Sequence, residues 1–531
     1  MYGIKQMLTR TVPVLVSGLA GYGVGVDNGK KAEKSRFDSV SIPTYSRQDD
    51  KSVFRFPEMN TKKMSLLIPI HRSVLDCFRS LKVSSASELV SQTSTLSALA
   101  NESQCSPIRS AIGAFKVRPD ANDVSAQVLC IGNLDVPTFL KEGLASVGQT
   151  TTNIPYSPTA GQPAAKQAMY QFLTLLGLPM KTIDAEKQIL LTIGGTDAIQ
   201  LSQLLTVGRG TGQKVGVFGP SYSNTKSLAR QNLGLPVESL NFGQLINPET
   251  KELEFSHPPL DEVGAWVNES GIKALVVETL SNPTGRLMSP EYLSGLVDIM
   301  KDVDGWVITD EAYTGIKLNS ELEPSSGLEV LENDPTAPII VATTLSKNAA
   351  ACGLRVGAMI ASPDVIAKAE NLASTTLGAN DLGQKVLVNQ MKLDPDALIK
   401  RVHEQEVVYQ EMSEAFHKAL SSLDTPIYTT KPDGAIYFVC QFEDSRFDST
   451  EFSMYCAERG KVAYKDIGFP DQDGKAYGTV LSAGMAGFYG GESDSPGVKQ
   501  IRLSMIPGTD MALTAKMLDK LYQGYLTEKA A

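Results

Sequence analysis

The sequence predicts an α/β fold built on a mostly parallel sheet of seven strands. Three observations predict it. First, seven short apolar runs rich in Val, Ile and Thr recur between residues 187 and 362: "KQILLTIGG", "KVGVFGP", "VESLNFG", "ALVVETLS", "WVITDEA", "PIIVATTLS" and "RVGAMIAS". Turn residues bound them, and most lack the alternation of a half-exposed strand, as expected of strands buried on both faces. Second, amphipathic stretches such as "SPEYLSGLVDIMKDV" lie between several runs, and strand–helix alternation implies a parallel sheet covered by helices. Third, polar residues follow run after run: Gly195 and Thr196, Tyr222, Asn282, Asp310 and Tyr313, Lys347. In an open sheet of this kind all would gather beyond the carboxyl ends of the strands, where ligands bind.

Taken in order, the chain opens with a segment of different character. The 531 residues carry a net charge of −10, yet residues 1–120 hold 17 Lys and Arg against 10 Asp and Glu. The acidic remainder argues against nucleic acid as a partner. Residues 1–26 contain no acid and include "VPVLVSGLAGYGVGV", which is too short and Gly-rich for a membrane span. This stretch suits either a targeting segment or ordinary chain. The expected location is cytoplasmic, with organelle targeting or export through this segment as the alternative. Residues 27–65 are polar and read as linker or weakly ordered chain, and two stretches between Met64 and Ala100 have helical spacing, the second opening on a plausible Ser cap. Residues 1–120 therefore form an extension of unknown function. Six scattered cysteines, with no CxxC, and four unclustered histidines suggest buried thiols and no metal site.

The polar set has a chemistry. "GGTDAIQLSQLL" is a glycine turn opening a helix, whose free N–H groups and dipole favour an anion such as phosphate. The same pattern also serves capping alone. Arg355 adds a planar cationic fork for that anion. Tyr222 offers a flat face for stacking, or is an ordinary packed aromatic. Asp310 could cap, bind a metal or hold a heterocyclic nitrogen protonated. Lys347 can form a Schiff base with an aldehyde. Phosphate site, stacker, aspartate and lysine together describe a pocket for pyridoxal 5′-phosphate (PLP).

At this point the chain resembles the class I/II aminotransferases, of the fold-type-I PLP-dependent enzymes. "SNPTG" (281–285), "TDEAY" (309–313) and "TLSK…GLRVG" (344–357) match the family's signatures in order. The likeness runs from "IGNLDVP" at residue 131 to "IRLSMIPG" and the last helix. It implies a catalytic region over 121–531, with a large domain of about 150–385 and a smaller α+β domain of about 386–531 joined by 121–149.

The resemblance also implies roles. Lys347 would hold the cofactor and shuttle the substrate proton, Asp310 would pair with the ring nitrogen, and Tyr313 and Asn282 would bond its phenolic oxygen. Tyr222 would stack on the ring, and Gly195, Thr196, Thr344 and Arg355 would hold the phosphate. Tyr156 would reach the phosphate of a neighbouring subunit, in a homodimer with a shared active site. Arg502 would grip the substrate α-carboxylate, with Gly132 and Asn282 beside it. The substrates would be an α-amino acid and a 2-oxo acid.

Two departures stand out: "SAGMAGFYGGESDSPGVKQ" before the arginine strand is longer and looser than the family pattern, and "NAAACG" after the lysine is unusually rich in small residues. Because one PLP scaffold hosts many reactions, decarboxylation, elimination or cyclisation stands beside transamination. A non-catalytic PLP-binding regulator is the third alternative.

Overall fold

A computed structural model describes residues 107–132, 137–376, 378–489 and 495–531. The expected helices between Met64 and Ala100 and the targeting segment at 1–26 lie outside the described residues.

All seven runs are strands of one sheet. The strand order is Ile189–Thr192, Gly357–Ile360, Ile339–Thr344, Trp306–Asp310, Ile272–Glu278, Lys214–Gly219 and Val237–Asn241. Gly357–Ile360 is antiparallel to both of its neighbours, and the other six strands run the same way. The carboxyl ends of those six therefore share one edge.

Alternate residues of each central strand face opposite layers. Val307, Leu275, Val277 and Val341 join a core that holds Met169 and Phe172 from the helix Pro163–Leu175 and Leu293, Leu296 and Met300 from Pro290–Asp302. Ile308, Ala274, Val276 and Ile340 join the core on the other face, with Ala198 and Ile199 of Gly195–Thr206 and Ile366 and Ala369 of Pro363–Ala373. Burial on both faces is why the strands lack alternation. The helix Pro290–Asp302 starts where its sequence says it should. Ser289 caps it, accepting the Tyr292 N–H at 3.2 Å, and Pro290 occupies its first turn.

The C-terminal part is built on a six-stranded sheet in the order Ala483–Gly484, Gln500–Ser504, Tyr437–Phe442, Ile427–Thr429, Glu252–Ser256, Gly243–Asn247. Its last two strands form a hairpin contributed by the middle of the chain, joined where Thr429 pairs with Glu252. A third sheet pairs Val124–Val128 with Tyr477–Leu481, so residues before the large sheet are tied to residues near the end of the chain. Among the described residues no helix is long and apolar enough to cross a membrane.

Candidate active site

Beyond the shared edge of the large sheet lies a cavity of about 560 Å³. Its wall includes Gly132, Gly195, Thr196, Tyr222, Asn282, Asp310, Tyr313, Thr344, Lys347, Arg355 and Arg502. Tyr156 alone of the residues singled out from the sequence is not on the wall; it is 84% exposed.

One end of the cavity is cationic. The helix Gly195–Thr206 opens there after Gly194, whose φ of +76° suits glycine. A Cβ on Gly194 would lie 2.6 Å from Arg355 Nη2, so the missing side chain lets the guanidinium lie against the turn. Arg355 is fixed by donating to the Ile193 carbonyl at 3.0 Å and to the Cys352 carbonyl at 3.2 Å. Thr344 Oγ1 lies 2.9 Å from Ser346 Oγ and donates to the Val356 carbonyl. No carboxylate among the described residues pairs with Arg355.

The acids divide by environment. Asp310 ends its strand buried, and burial pushes its pKa up to about 6. Its one hydrogen bond is from the Ala312 N–H, at 3.1 Å, and no cation pairs with it among the described residues. The next residue, Glu311, is saturated by Thr309 Oγ1, Ser326 Oγ and the Gly327 N–H at 2.7–2.9 Å, and burial raises it to about 7. Glu278, in register with Asp310 on the adjacent strand, accepts the backbone N–H groups of Tyr222 at 2.6 Å and Asn282 at 2.7 Å. Burial, then the nearby Asp310 charge, pushes Glu278 up to about 8. Glu278 therefore ties together the two loops that carry Tyr222 and Asn282.

Tyr222 presents its hydroxyl to Asn224 Nδ2, which donates at 2.8 Å, and burial raises its pKa. Lys347 Nζ donates to the Gly132 carbonyl and lies 3.8 Å from Cys352 Sγ. A Cβ on Gly132 would collide with the Tyr437 hydroxyl, 2.2 Å away, so glycine is required at this close approach. Tyr437 OH lies 2.8 Å from Tyr313 OH, and Tyr313 accepts Asn282 Nδ2 at 3.3 Å. Burial holds the Tyr313 phenol well above its ordinary range.

Arg502 is 1% exposed, yet no carboxylate among the described residues pairs with it. It donates to Asn282 Oδ1 at 2.8 Å and the Cys130 carbonyl at 2.7 Å, and its buried Nε has no partner. The guanidinium lies 4.3 Å over the Tyr437 ring and 5.0 Å from Phe488. Phe488 belongs to the loose segment noted in the sequence, and its carbonyl accepts the Ser221 N–H at 3.0 Å. Phe488, in the described part of that segment, thus packs against the arginine.

These residues fit PLP. A buried carboxylate without a cation is completed by a protonated ring nitrogen, and an arginine beside a helix N-terminus is completed by a phosphate. A lysine amine lies on the same wall as both.

Sequence reasoning missed Arg109, Ser346, Cys352 and Tyr437, which also line the cavity, and the clamp made by Glu278. Ser346 was within reach, since it sits inside the quoted "TLSK". Arg109 and Tyr437 carry no local signal, because each arrives from a distant part of the chain.

Comparison with known proteins gives the following. Residues 127–475 match the family described as aminotransferase class I and II. The aspartate aminotransferase of Pyrococcus abyssi is 25% identical over 357 residues, 66% of this chain and 84% of that enzyme. The aspartate aminotransferase of Thermotoga maritima is 27% identical over 208 residues, 39% of this chain, and the match spans half of that enzyme. A solved aminotransferase from Mycobacterium tuberculosis superposes with a TM-score of 0.64 at 17% identity, covering 82% of this chain and all of that one. At that identity the likeness is one of fold.

Proposed function

The chain belongs to the class I and II aminotransferases, a PLP-dependent family, and we propose that it moves an amino group from an α-amino acid to a 2-oxo acid in the cavity described above. The observation that carries this is Arg502: a fully buried guanidinium, with no acid of its own among the described residues, on the same wall as Lys347 and Asp310. Desolvating a charge is costly unless a counter-charge arrives, and a substrate α-carboxylate is that counter-charge.

Bound PLP supplies an electron sink that allows a bond at the substrate Cα to break. Asp310 would hold the ring nitrogen protonated; burial raises its own pKa, and a cationic ring nitrogen beside it would favour the carboxylate form. Arg355 and the first N–H groups of Gly195–Thr206 would hold the phosphate, with Thr196, Thr344 and Ser346 on the same wall. Tyr222, on the same wall, would stack on the ring. Asn282 has two duties: its Nδ2 orients Tyr313 and its Oδ1 orients Arg502. Lys347 Nζ, reaching across to the Gly132 carbonyl, would take the proton from the substrate Cα and deliver it on the far side of the substrate nitrogen, to the cofactor's carbon, not back to Cα. Tyr437 and Phe488 exclude water around Arg502.

A homodimer is part of the proposal. Ile154 and Tyr156 are 67% and 84% exposed, and Leu144 is 52% exposed; a second copy would cover this apolar stretch and bring Tyr156 to its own cavity. A cytoplasmic location is supported by Cys130, Cys352, Cys440 and Cys456, all free thiols, and is checked by cell fractionation.

The test is amino transfer to an added 2-oxo acid. Stoichiometric appearance of a new amino acid and a new oxo acid is expected. Release of CO₂ or ammonia without a new amino acid would replace transamination by another PLP reaction.

A further inference from the structure

We infer that Tyr489 is a positioning residue for the α-carboxylate site: a ring of hydrogen bonds with Gln500 and Gln244 holds the adjacent Phe488 against Arg502 and so sets how tightly the carboxylate of an amino acid binds. This rests on the transamination proposal and deepens it.

The ring is closed. Tyr489 OH donates to Gln500 Oε1 at 2.7 Å, Gln500 Nε2 donates to Gln244 Oε1 at 2.9 Å, and Gln244 Nε2 donates back to Tyr489 OH at 2.7 Å. The other Gln500 N–H goes to Gln441 Oε1 at 2.7 Å, directly opposite in the paired strand. Gln500 is fully buried and Tyr489 nearly so. Burying such groups is costly unless each is paired, and a fully paired network holds one rigid arrangement.

What the ring fixes is the arm that covers Arg502. Residues 482–487 read SAGMAG and, apart from Met485, offer little side chain to pack. Placement of the arm therefore falls on the buried Phe488 and Tyr489. The Phe488 carbonyl is one anchor, accepting the Ser221 N–H and Lys226 Nζ. A backbone held at one point can still turn about it, and Tyr489 is the second anchor. A Cβ on Gly497 would lie 2.7 Å from Tyr489 Cδ2, so the chain leading back to Arg502 packs on the Tyr489 ring. Gln500 stands two residues before Arg502 in one strand, and both side chains leave the same face of the sheet. Hydrogen-bond ring and guanidinium thus belong to one wall, with the Phe488 ring 5.0 Å from the guanidinium.

Titration of the holoenzyme with 2-methylalanine, which has no Cα proton to lose, reads carboxylate binding without turnover. In Tyr489→Phe its Kd should rise about three- to tenfold, the loss expected of one hydrogen bond. Gln244→Ala opens the ring at its exposed corner and should shift Kd the same way by less; it carries the test if Tyr489→Phe does not fold. For the best amino acid, kcat/KM should fall mainly through KM. Arg118→Met, which removes a structural arginine, should leave the Kd where it is. A double-mutant cycle decides whether Tyr489 acts through Arg502. In an Arg502→Lys background, Tyr489→Phe should change kcat/KM by less than about twofold, because the residue it positions has lost its fork. Unchanged 2-methylalanine affinity in both ring variants, an equal loss in Arg118→Met, or effects of Tyr489→Phe and Arg502→Lys that simply multiply overturn the inference. A Kd shift in Tyr489→Phe in a protein that transfers no amino group would instead sink transamination and leave the role of Tyr489 standing.

Discussion

Two regions of the molecule each bury an arginine, and they treat it in opposite ways. Where the helix Pro107–Val117 meets the helix Ser449–Glu458, the fully buried Arg118 side chain carries its own anion. Its Nε donates to Asp120 Oδ1 at 2.6 Å, and its Nη1 donates to the Cys456 and Gly460 carbonyls. The Arg118 hydrogen bond, then that of Lys461, holds Asp120 down at about 2. At the edge of the large sheet, Arg502 is equally buried and has two oxygen acceptors but no acid among the described residues. Each arginine keeps one buried nitrogen without a partner among the described residues, Nη2 in Arg118 and Nε in Arg502, so the difference is the acid: the fold supplies one to the structural cation and leaves the binding cation for a ligand. The carboxylates repeat the contrast: Glu311 has three donors, and its neighbour Asp310 has one.

The contrast breaks first, and most severely, at the lysine. Lys347→Ala should reduce turnover by about a thousandfold or more, the upper range of a proton carrier's contribution, with the thermal midpoint little changed. Borohydride reduction of the wild type should fix the cofactor on the peptide containing Lys347; a label on any other lysine removes the assignment. Asp310→Ala should still bind cofactor but lose turnover by orders of magnitude, and near-normal rates would exclude its role at the ring nitrogen.

Arg502→Lys comes next. Truncating one partner of a buried, hydrogen-bonded charge pair costs about 2–5 kcal/mol, or roughly 30- to 5,000-fold in kcat/KM for amino acids. Lysine keeps the charge but not the fork. A simple amine lacking the α-carboxylate should show little change, and equal losses with both would make Arg502 structural like Arg118.

Arg118→Met is the mirror experiment. It should lower stability by about 1–3 kcal/mol through the unpaired carbonyls it leaves, read as a shifted denaturant midpoint. No substrate preference should change. A selective loss with amino acids would erase the distinction between the two arginines.

The smallest effect concerns pH. Without cofactor, Asp310 keeps its proton in the folded state up to about 6, whereas the unfolded chain releases it near 3.8. Its contribution to stability therefore falls as pH rises from about 4 to 6. Asp120 has the opposite sign: its folded value of about 2 lies below 3.8, so its stabilisation is present above about 4 and is lost as pH falls toward 2. Asp310→Asn should flatten the first dependence and Asp120→Asn the second, in thermal midpoints measured from pH 2 to 7. If Asp310→Asn leaves the slope between pH 4 and 6 untouched, the buried carboxylate is not titrating there.

The sequence by itself determined what is local. A strand buried on both faces needs a continuous apolar run, so each of the seven strands was visible as a string of residues. Lys347, Asp310 and Asn282 could be named because each directly follows such a run, inside a short pattern set by turn and helix-start chemistry. The carboxyl edge could be inferred because a parallel sheet must bring those ends together. Tertiary structure alone decided who meets whom across the chain. Arg502 and Asn282 are 220 residues apart, Tyr313 and Tyr437 124, and no periodicity records such a pairing. The hairpin Gly243–Ser256 extends a sheet made mostly of much later residues, because its hydrogen-bonding edge is completed by Thr429 rather than by neighbours in sequence. Whether a buried charge is completed by the fold or left open depends on every group packed around it. The resemblance pointed to Arg502 and not to Arg118, but only the three-dimensional packing gives an anion to Arg118 and, among the described residues, withholds one from Arg502.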